Sequence, residues 1–230
     1  MWIDNIILGL ALMAVCSLFV TFFLRAFYHK KFKKALLFKG LASLCFVILG
    51  AYNFFCQEFS WVNFIIFIGL CFGIVGDEII ALCQIFPKYD TQHFFGGGVC
   101  FIVGHLFYMA AMIMMNGINV IAVVASFIAL VLLCMIYEDR KKFLVGKMKN
   151  SLKLYIAIVI LFSAIGISTF LKRGTLGSAL FALGGALFTI SDNILFAFKF
   201  GARPRYRQNV SLHIAYYLAQ FVIAWSIICI

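Results

Sequence analysis

The sequence predicts an all-α membrane protein that crosses the bilayer eight times. The chain of 230 residues is 65% hydrophobic and only 12% charged, with a mean hydropathy of +1.10. Soluble domains of this size contain far more charged residues. Its apolar runs are about 20 residues long, the length that an α-helix needs to cross a bilayer. Both prolines, Pro87 and Pro204, lie in polar connections and leave the runs uninterrupted. We therefore expect one membrane domain over residues 1–230.

The spacing of the apolar runs and of the basic residues predicts the topology. All Lys and Arg residues except Lys172 and Arg173 lie on one side of the predicted spans. The positive-inside rule places that side in the cytoplasm and both termini on the exoplasmic or lumenal side. The rule also accounts for the formal charge of +11 without nucleic-acid binding. We expect a bacterial inner membrane or an endoplasmic reticulum location, and the predicted spans are 4–24, 35–55, 62–83, 94–115, 119–137, 151–171, 178–199 and 210–230.

An offset of 115 residues brings the two halves of the sequence into register. At this offset the predicted spans of residues 1–115 fall close to those of residues 116–230, and Asp77 aligns with Asp192. This register predicts a parallel 4+4 internal repeat. Evenly spaced helices would give the same match of spans without any duplication, so both explanations stay open.

Two acids inside apolar spans are the strongest functional signal in the sequence. Asp77 lies within the apolar run 69–80, and Asp192 follows Ser191 in a similar setting. An acid at the centre of a spanning helix costs about 2.5–3.5 kcal/mol, so it normally faces the protein interior and has a function. Both acids are expected at one depth in the cytoplasmic half of the membrane. The alternative is a purely structural hydrogen-bond acceptor. Glu78 is rotated by about 100° from Asp77 and cannot face the same site.

Other polar residues in the spans are candidates for positioning a substrate. His105 and Tyr108 lie one turn apart on span four, nearer the midplane than the acids. Lys39 either holds a phosphate group or extends to the interface. Asn53 is expected at the opposite interface. Span eight carries a polar stripe that either lines the same cavity or forms bonds between helices: His213, Tyr216, Tyr217 and Gln220.

The cysteines do not indicate a metal or a disulfide framework. Seven of the eight lie in apolar runs, and no C-x-x-C spacing occurs. A catalytic zinc would need about three protein ligands, and only His105 and His213 are well inside the spans. We therefore expect no metal and no other cofactor.

Three segments of the sequence resemble signatures of the lysoplasmalogenase family, the YhhN-like membrane hydrolases. They are 76–77, 101–108 with the pattern Phe-x-x-Gly-His-x-x-Tyr, and 188–195 with the pattern Phe-x-x-Ser-Asp-x-x-Leu. The resemblance covers nearly the whole chain. It implies hydrolysis of the sn-1 vinyl ether bond of a lysoplasmalogen, a lysophospholipid, to a fatty aldehyde and glycerophosphoethanolamine or glycerophosphocholine.

Two acids suit that reaction on chemical grounds. A vinyl ether is hydrolysed by protonation at carbon, which gives an oxocarbenium-like cation that water attacks. A carboxylic acid and a carboxylate can supply the proton and activate the water, as two carboxylates do in glycoside hydrolysis. Asp77 and Asp192 are the predicted acid and base, in an order that the sequence leaves open. His105, Tyr108 and Ser191 are expected to position water or the glycerol hydroxyl.

Two other functions remain open at this point. Paired acids inside a membrane also form proton relays, so a proton-coupled transporter is one alternative. Another intramembrane lipid hydrolase, including a metal-dependent one, is the second. In the favoured interpretation the lysolipid enters from the cytoplasmic leaflet. Its head group then lies near Lys39, His213 or the basic loops.

Overall fold

The computed structural model describes the backbone of residues 2–139, 149–201 and 205–230, and the side chains of residues 3–132, 151–201 and 205–230. Eight helices account for most of these residues. A single 3-10 turn, Pro87–Tyr89, precedes the fourth helix. The helices are α1 Trp2–Tyr28, α2 Phe32–Phe55, α3 Trp61–Ile85, α4 Asp90–Asn116, α5 Val120–Asp139, α6 Lys149–Arg173, α7 Leu176–Phe200 and α8 Tyr206–Cys229.

The predicted helical class is confirmed, and each of the eight predicted spans corresponds to a helix. Seven helices are long and apolar enough to cross a membrane, which makes the protein an integral membrane protein. For α5 the apolar stretch assessed among the described residues, Val120–Leu132, is shorter. Most helices extend beyond the predicted spans by a few polar residues. For example, α4 begins at Asp90 because its polar first turn remains helical beyond the apolar run.

Six helices pack in a closed ring in the order α2, α3, α4, α6, α7 and α8. Helix α1 packs outside the ring on α2 and α8, and α5 packs outside it on α6. A duplicated four-helix unit would produce this arrangement, because α1 to α4 then correspond to α5 to α8. The close backbone approach between α3 and α8 has no counterpart between α7 and α4, which meet through side chains among the described residues. The duplication itself stays a prediction.

Glycines allow α3 and α4 to approach closely. A Cβ atom on Gly97 would lie 2.9 Å from the backbone oxygen of Gly76, and one on Gly104 would lie 3.1 Å from that of Gly69. Small residues at such crossings are typical of helix packing in membranes. This close packing holds α3, which carries Asp77, against α4.

We expect Gly97→Ala to destabilise the protein by about 1–3 kcal/mol, because the added methyl group overlaps Ile80 and the Gly76 backbone. Gly96→Ala is the matched control, since its Cβ would meet only Ile79 at 3.5 Å. Thermal unfolding in detergent measures both variants. Equal melting temperatures for the two would contradict close packing of α3 on α4.

Asn53, predicted at the interface, lies near the end of α2 but is enclosed by protein there. It is fully buried, its amide nitrogen donates to the Ala224 carbonyl at 2.8 Å, and its amide oxygen accepts from Asn5. Because α1 and α8 both pack on this face of α2, a polar residue near the helix end is enclosed. The three helices are joined there by amide hydrogen bonds.

Candidate active site

A cavity of about 110 Å³ lies among α1, α2, α3, α4, α7 and α8, towards the end where the connections 29–31 and 86–89 join the helices. We call this the basic end, and the charge distribution predicts that it is cytoplasmic. The cavity walls are largely apolar, with Phe23, Phe94, Phe101 and Leu195 among them. The polar side chains that line the cavity are Lys39, Asp77, Gln84, Ser191, Asp192, Lys199, Asn209, His213 and Tyr216.

Both aspartates line this cavity at the same depth. Asp77 lies eight residues before the end of α3 at Ile85, and Asp192 lies eight residues before the end of α7 at Phe200. At 1.5 Å per residue each carboxyl group is about 12 Å from the basic end. Both are nearly inaccessible, with exposed fractions of 3% and 6%. The structure therefore brings the two acids predicted from the sequence to one cavity.

Asp77 is surrounded by hydrogen-bond donors and a cation. The Lys39 ammonium group lies 3.0 Å from Oδ1. The hydroxyls of Ser43 and Tyr216 donate to Oδ2 at 2.6 Å and 2.7 Å. A carboxylate that accepts from two hydroxyls beside a buried ammonium group has the environment that stabilises its ionised form. Lys39 thus pairs with Asp77 and does not extend to the interface, because its buried stem directs it into the ring.

Asp192 has a different environment. The Tyr155 hydroxyl donates to its Oδ2 at 3.0 Å. No lysine, arginine or histidine forms an ion pair with it among the described residues. A buried carboxyl group without a counter-ion is most stable in its neutral form. The two acids therefore share a cavity but differ in charge compensation.

Ser191 and His213 complete the polar wall. The Ser191 hydroxyl donates to the Leu212 carbonyl at 3.0 Å and joins α7 to α8. His213 Nδ1 lies 2.7 Å from the Asn209 carbonyl oxygen, which is the geometry of a ring N–H donating to a backbone oxygen. The phenyl ring of Phe23 packs against the His213 imidazole, with the two centroids 4.8 Å apart. Ser191 and His213 both line the cavity, so their polar atoms form part of its wall.

His105 does not reach the cavity, contrary to the prediction that it positions water beside the acids. Its ring is enclosed by aromatic rings, and the centroid of Phe188 is 4.8 Å away. Among the described residues no side chain is hydrogen-bonded to it. The reason is its depth, because it lies 15 residues, or about 22 Å, from the start of α4 at Asp90. The other rings around it are Tyr108, Tyr155 and Phe162.

Tyr108 and Gln220 reach Asp77 only through another residue. The Tyr108 hydroxyl donates to Gln220 Oε1 at 3.1 Å, and Gln220 Nε2 donates to the Tyr216 hydroxyl at 3.1 Å. Tyr216 in turn donates to Asp77. These bonds form a buried chain that ends on the carboxylate. The polar residues of the predicted stripe on α8 therefore have two roles. His213 and Tyr216 line the cavity, whereas Gln220 forms hydrogen bonds behind it.

Tyr217, the remaining residue of that stripe, lies outside the cavity lining. Its hydroxyl is 3.3 Å from the Ser43 hydroxyl and 3.5 Å from the Lys39 backbone oxygen. Glu78 also points away, since a Cβ atom on Gly40 would lie 2.8 Å from its Oε1. This position follows from the rotation between consecutive helical residues.

An ion pair stands at the basic end of the cavity. Lys199 Nζ donates to both carboxylate oxygens of Asp90, at 2.6 Å and 2.9 Å, and joins the end of α7 to the start of α4. Its side chain remains partly exposed. Lys199 also lines the cavity, so a charged pair lies at its basic end.

Some of these residues were not identified from the sequence. Ser43 lies one turn after Lys39 on the same face of α2, and that spacing could have indicated it. Tyr155 gave no signal, because a tyrosine near the start of a span is usually interfacial. Within the described ranges no group of three or more His, Cys, Asp and Glu side chains is arranged to hold a metal ion.

Comparison with known proteins gives one match. No curated protein and no solved structure matches the chain. The model of the YhhN family matches residues 34–227, a range that contains both cavity aspartates and every residue bonded to them. This range covers most of the sequence, and the chain therefore belongs to the YhhN family.

Proposed function

We propose that this protein is a lysoplasmalogenase, which hydrolyses the sn-1 vinyl ether bond of a lysoplasmalogen. The products are a fatty aldehyde and glycerophosphoethanolamine or glycerophosphocholine. Membership of the YhhN family suggests a lysoplasmalogenase-like function, since that family is associated with hydrolase activity. One observation carries the proposal: two buried aspartates line one cavity, and only one of them is paired with a cation.

The unequal partners assign different roles to the two acids. Asp77, beside Lys39 and two hydroxyl donors, acts as the carboxylate. Asp192, which accepts only from Tyr155 and lacks a counter-ion among the described residues, acts as the neutral acid. This division resembles that of glycosidases, where one carboxyl group protonates and the other stabilises positive charge or activates water.

The reaction then proceeds in two balanced stages. Asp192 gives its proton to the second carbon of the alkenyl chain, and positive charge develops on the first carbon and the ether oxygen. The Asp77 carboxylate stabilises this cation and takes a proton from the attacking water, which leaves a hemiacetal. In the second stage the hemiacetal hydroxyl returns a proton to Asp192, and Asp77 protonates the departing glycerol oxygen. The C–O bond breaks, and both acids regain their starting states.

The other polar residues of the cavity bind the glycerol part of the substrate in this proposal. Ser191 and His213 lie on the cavity wall beside the acids. Lys199 lines the basic end, where the phosphate of a lysolipid from the cytoplasmic leaflet would approach. Lys39 is buried beside Asp77 and supports the carboxylate, whereas Lys199, although paired with Asp90, is partly exposed and lies nearer the basic end.

Purified protein in detergent or nanodiscs, incubated with lysoplasmalogen, tests the function. Aldehyde release that persists in a chelator is the expected result. Aldehyde release that stops on chelation would favour a metal-dependent lipid hydrolase. Absence of aldehyde together with proton-dependent solute uptake in liposomes would favour the transporter.

We expect Tyr155→Phe to lower kcat by about three- to tenfold, because it removes the hydrogen bond by which α6 orients Asp192. KM should change little, since the hydroxyl is engaged with the acid. Tyr52→Phe, near the far end of α2, is the matched control and should keep wild-type turnover. A Tyr155→Phe enzyme with unchanged kcat would show that this hydrogen bond does not orient the acid.

A further inference from the structure

A second cavity, of about 220 Å³, lies between α4, α6 and α7. Its lining is apolar except for Ser151 and Tyr155. It shares four wall residues with the aspartate cavity, so the two spaces are adjacent. The shared residues are Ile80, Phe94, Phe101 and Leu195. We call this second space the chain cavity.

Tyr155 connects the chain cavity to the acid. Its ring forms part of the chain-cavity lining, and its hydroxyl donates to Asp192. Leu195, less than one turn beyond Asp192 on α7, lines both spaces. The chain cavity is therefore separated by one side chain, that of Tyr155, from the carboxyl group that we assign as the proton donor.

We propose that the chain cavity binds the hydrocarbon chain of the substrate, and this inference rests on the proposed function. The carbon that accepts the proton is the second atom of the alkenyl chain, so the rest of the chain must start beside Asp192. The aspartate cavity, at about 110 Å³, has half the volume of the chain cavity, and its wall carries the polar groups that suit the glycerol. The apolar space behind Tyr155 is adjacent and chemically suitable.

The position of the chain cavity also suits a lipid that enters sideways. Its rim includes Phe95, Val99 and Leu154, which are exposed on the outer surface of the helices. The residues of α4 that line it, from Phe94 to Ile102, lie within about 18 Å of the basic end. This is the depth at which the chain of a lysolipid in the cytoplasmic leaflet would lie.

A groove between α1 and α8 is the competing place for the chain. It is lined by Ser17, Val20 and Tyr217 among others, and His213 is the one residue that it shares with the aspartate cavity. This groove shares no apolar wall residue with the cavity that holds Asp77 and Asp192. The chain cavity has the closer connection to the acid that protonates the chain.

Gly98 offers a direct test, because it lines the chain cavity and has room for a side chain. A Cβ atom there would meet only the Tyr155 ring, at 4.0 Å, so leucine would extend into the empty space. The probes are saturated 1-O-alkyl glycerophosphoethanolamines, from octyl to hexadecyl, which bind but cannot be hydrolysed as vinyl ethers. We expect Gly98→Leu to weaken hexadecyl binding by about tenfold and octyl binding by less than about twofold.

Two further variants make the test decisive. Gly96→Leu adds the same side chain to α4 at a residue that does not line the chain cavity, and it should leave the dependence on chain length unchanged. Ile102→Ala enlarges the chain cavity and should improve binding of the hexadecyl probe relative to the octyl probe. The proposal would be overturned if the dependence of binding on chain length in Gly98→Leu and Ile102→Ala were the same as in the wild type. It would also be overturned by a shift produced by Ser17→Leu, in the α1–α8 groove, and not by either of them.

Binding and turnover separate this inference from the proposed function. A wild-type protein that binds longer alkyl ethers more tightly but releases no aldehyde from lysoplasmalogen would disprove the lysoplasmalogenase assignment and retain the chain cavity. Aldehyde release with no effect of Gly98→Leu and Ile102→Ala on the chain-length profile would support the lysoplasmalogenase assignment and disprove the chain cavity.

Discussion

Replacing Asp192 with asparagine should lower aldehyde release by about a hundred- to ten-thousandfold, because a general acid contributes about 10²–10⁴ to rate. The asparagine oxygen can still accept the Tyr155 hydrogen bond, so the local packing is preserved. What is lost is the ability to give a proton to carbon. Steady-state turnover of lysoplasmalogen, with melting temperature measured in parallel, checks the prediction.

Glu78→Gln is the matched control for Asp192→Asn. It removes the same acidic function from a neighbouring position of the bundle, but Glu78 does not line the aspartate cavity. We expect its turnover to stay within about threefold of the wild type, which corresponds to less than about 1 kcal/mol. Equal losses for Glu78→Gln and Asp192→Asn would indicate a general electrostatic effect. Near-wild-type turnover of Asp192→Asn would exclude it as the proton donor.

The comparison with Asp77→Asn is less simple than the sequence suggests. From the sequence alone both asparagine variants are expected to fold normally. The structure shows that Asp77 is the partner of the buried Lys39, so Asp77→Asn leaves a buried cation without its counter-ion. Its loss of activity therefore combines a chemical effect with a structural one.

Most of the architecture could be predicted because it follows from local properties of the sequence. Length and uninterrupted hydropathy determine each helix, and the eight segments follow the expected order. The depth of Asp77 and Asp192 also follows from counting residues along a helix of known rise. The ring of six helices could not be predicted in this way, since it depends on which faces pack together.

The same limit explains the errors at the site. A helical pattern shows which residues share a face, but not which helix lies opposite that face. Lys39 and Asp77 are 38 positions apart and meet because α2 packs on α3. His105 has a polar side chain on a glycine-rich helix, yet its face meets aromatic rings of α6 and α7. Tyr155 reaches Asp192 only because α6 and α7 are neighbours in the ring.

The Lys39–Asp77 pair gives the second large expected effect, this time on stability. Lys39→Met should destabilise the protein by about 3–5 kcal/mol, because it leaves the Asp77 carboxylate buried without a counter-ion. Asp77→Asn should cost a similar amount for the opposite reason. Melting temperatures and chemical unfolding in detergent measure both variants. A Lys39→Met protein as stable as the wild type would show that the ion pair contributes little.

The double variant Lys39→Met/Asp77→Asn separates folding from chemistry. Removing both charges leaves no unpaired ion. The double variant should therefore lose at least about 2 kcal/mol less unfolding free energy than the sum of the two single losses. The hydroxyls of Ser43 and Tyr216 can still donate to the asparagine oxygen. Turnover should nevertheless remain as low as in Asp77→Asn, because no carboxylate is present to stabilise the cation and accept the proton from water. Recovery of stability without recovery of activity would assign Asp77 to the reaction itself, whereas recovery of both would reduce it to a structural partner of Lys39.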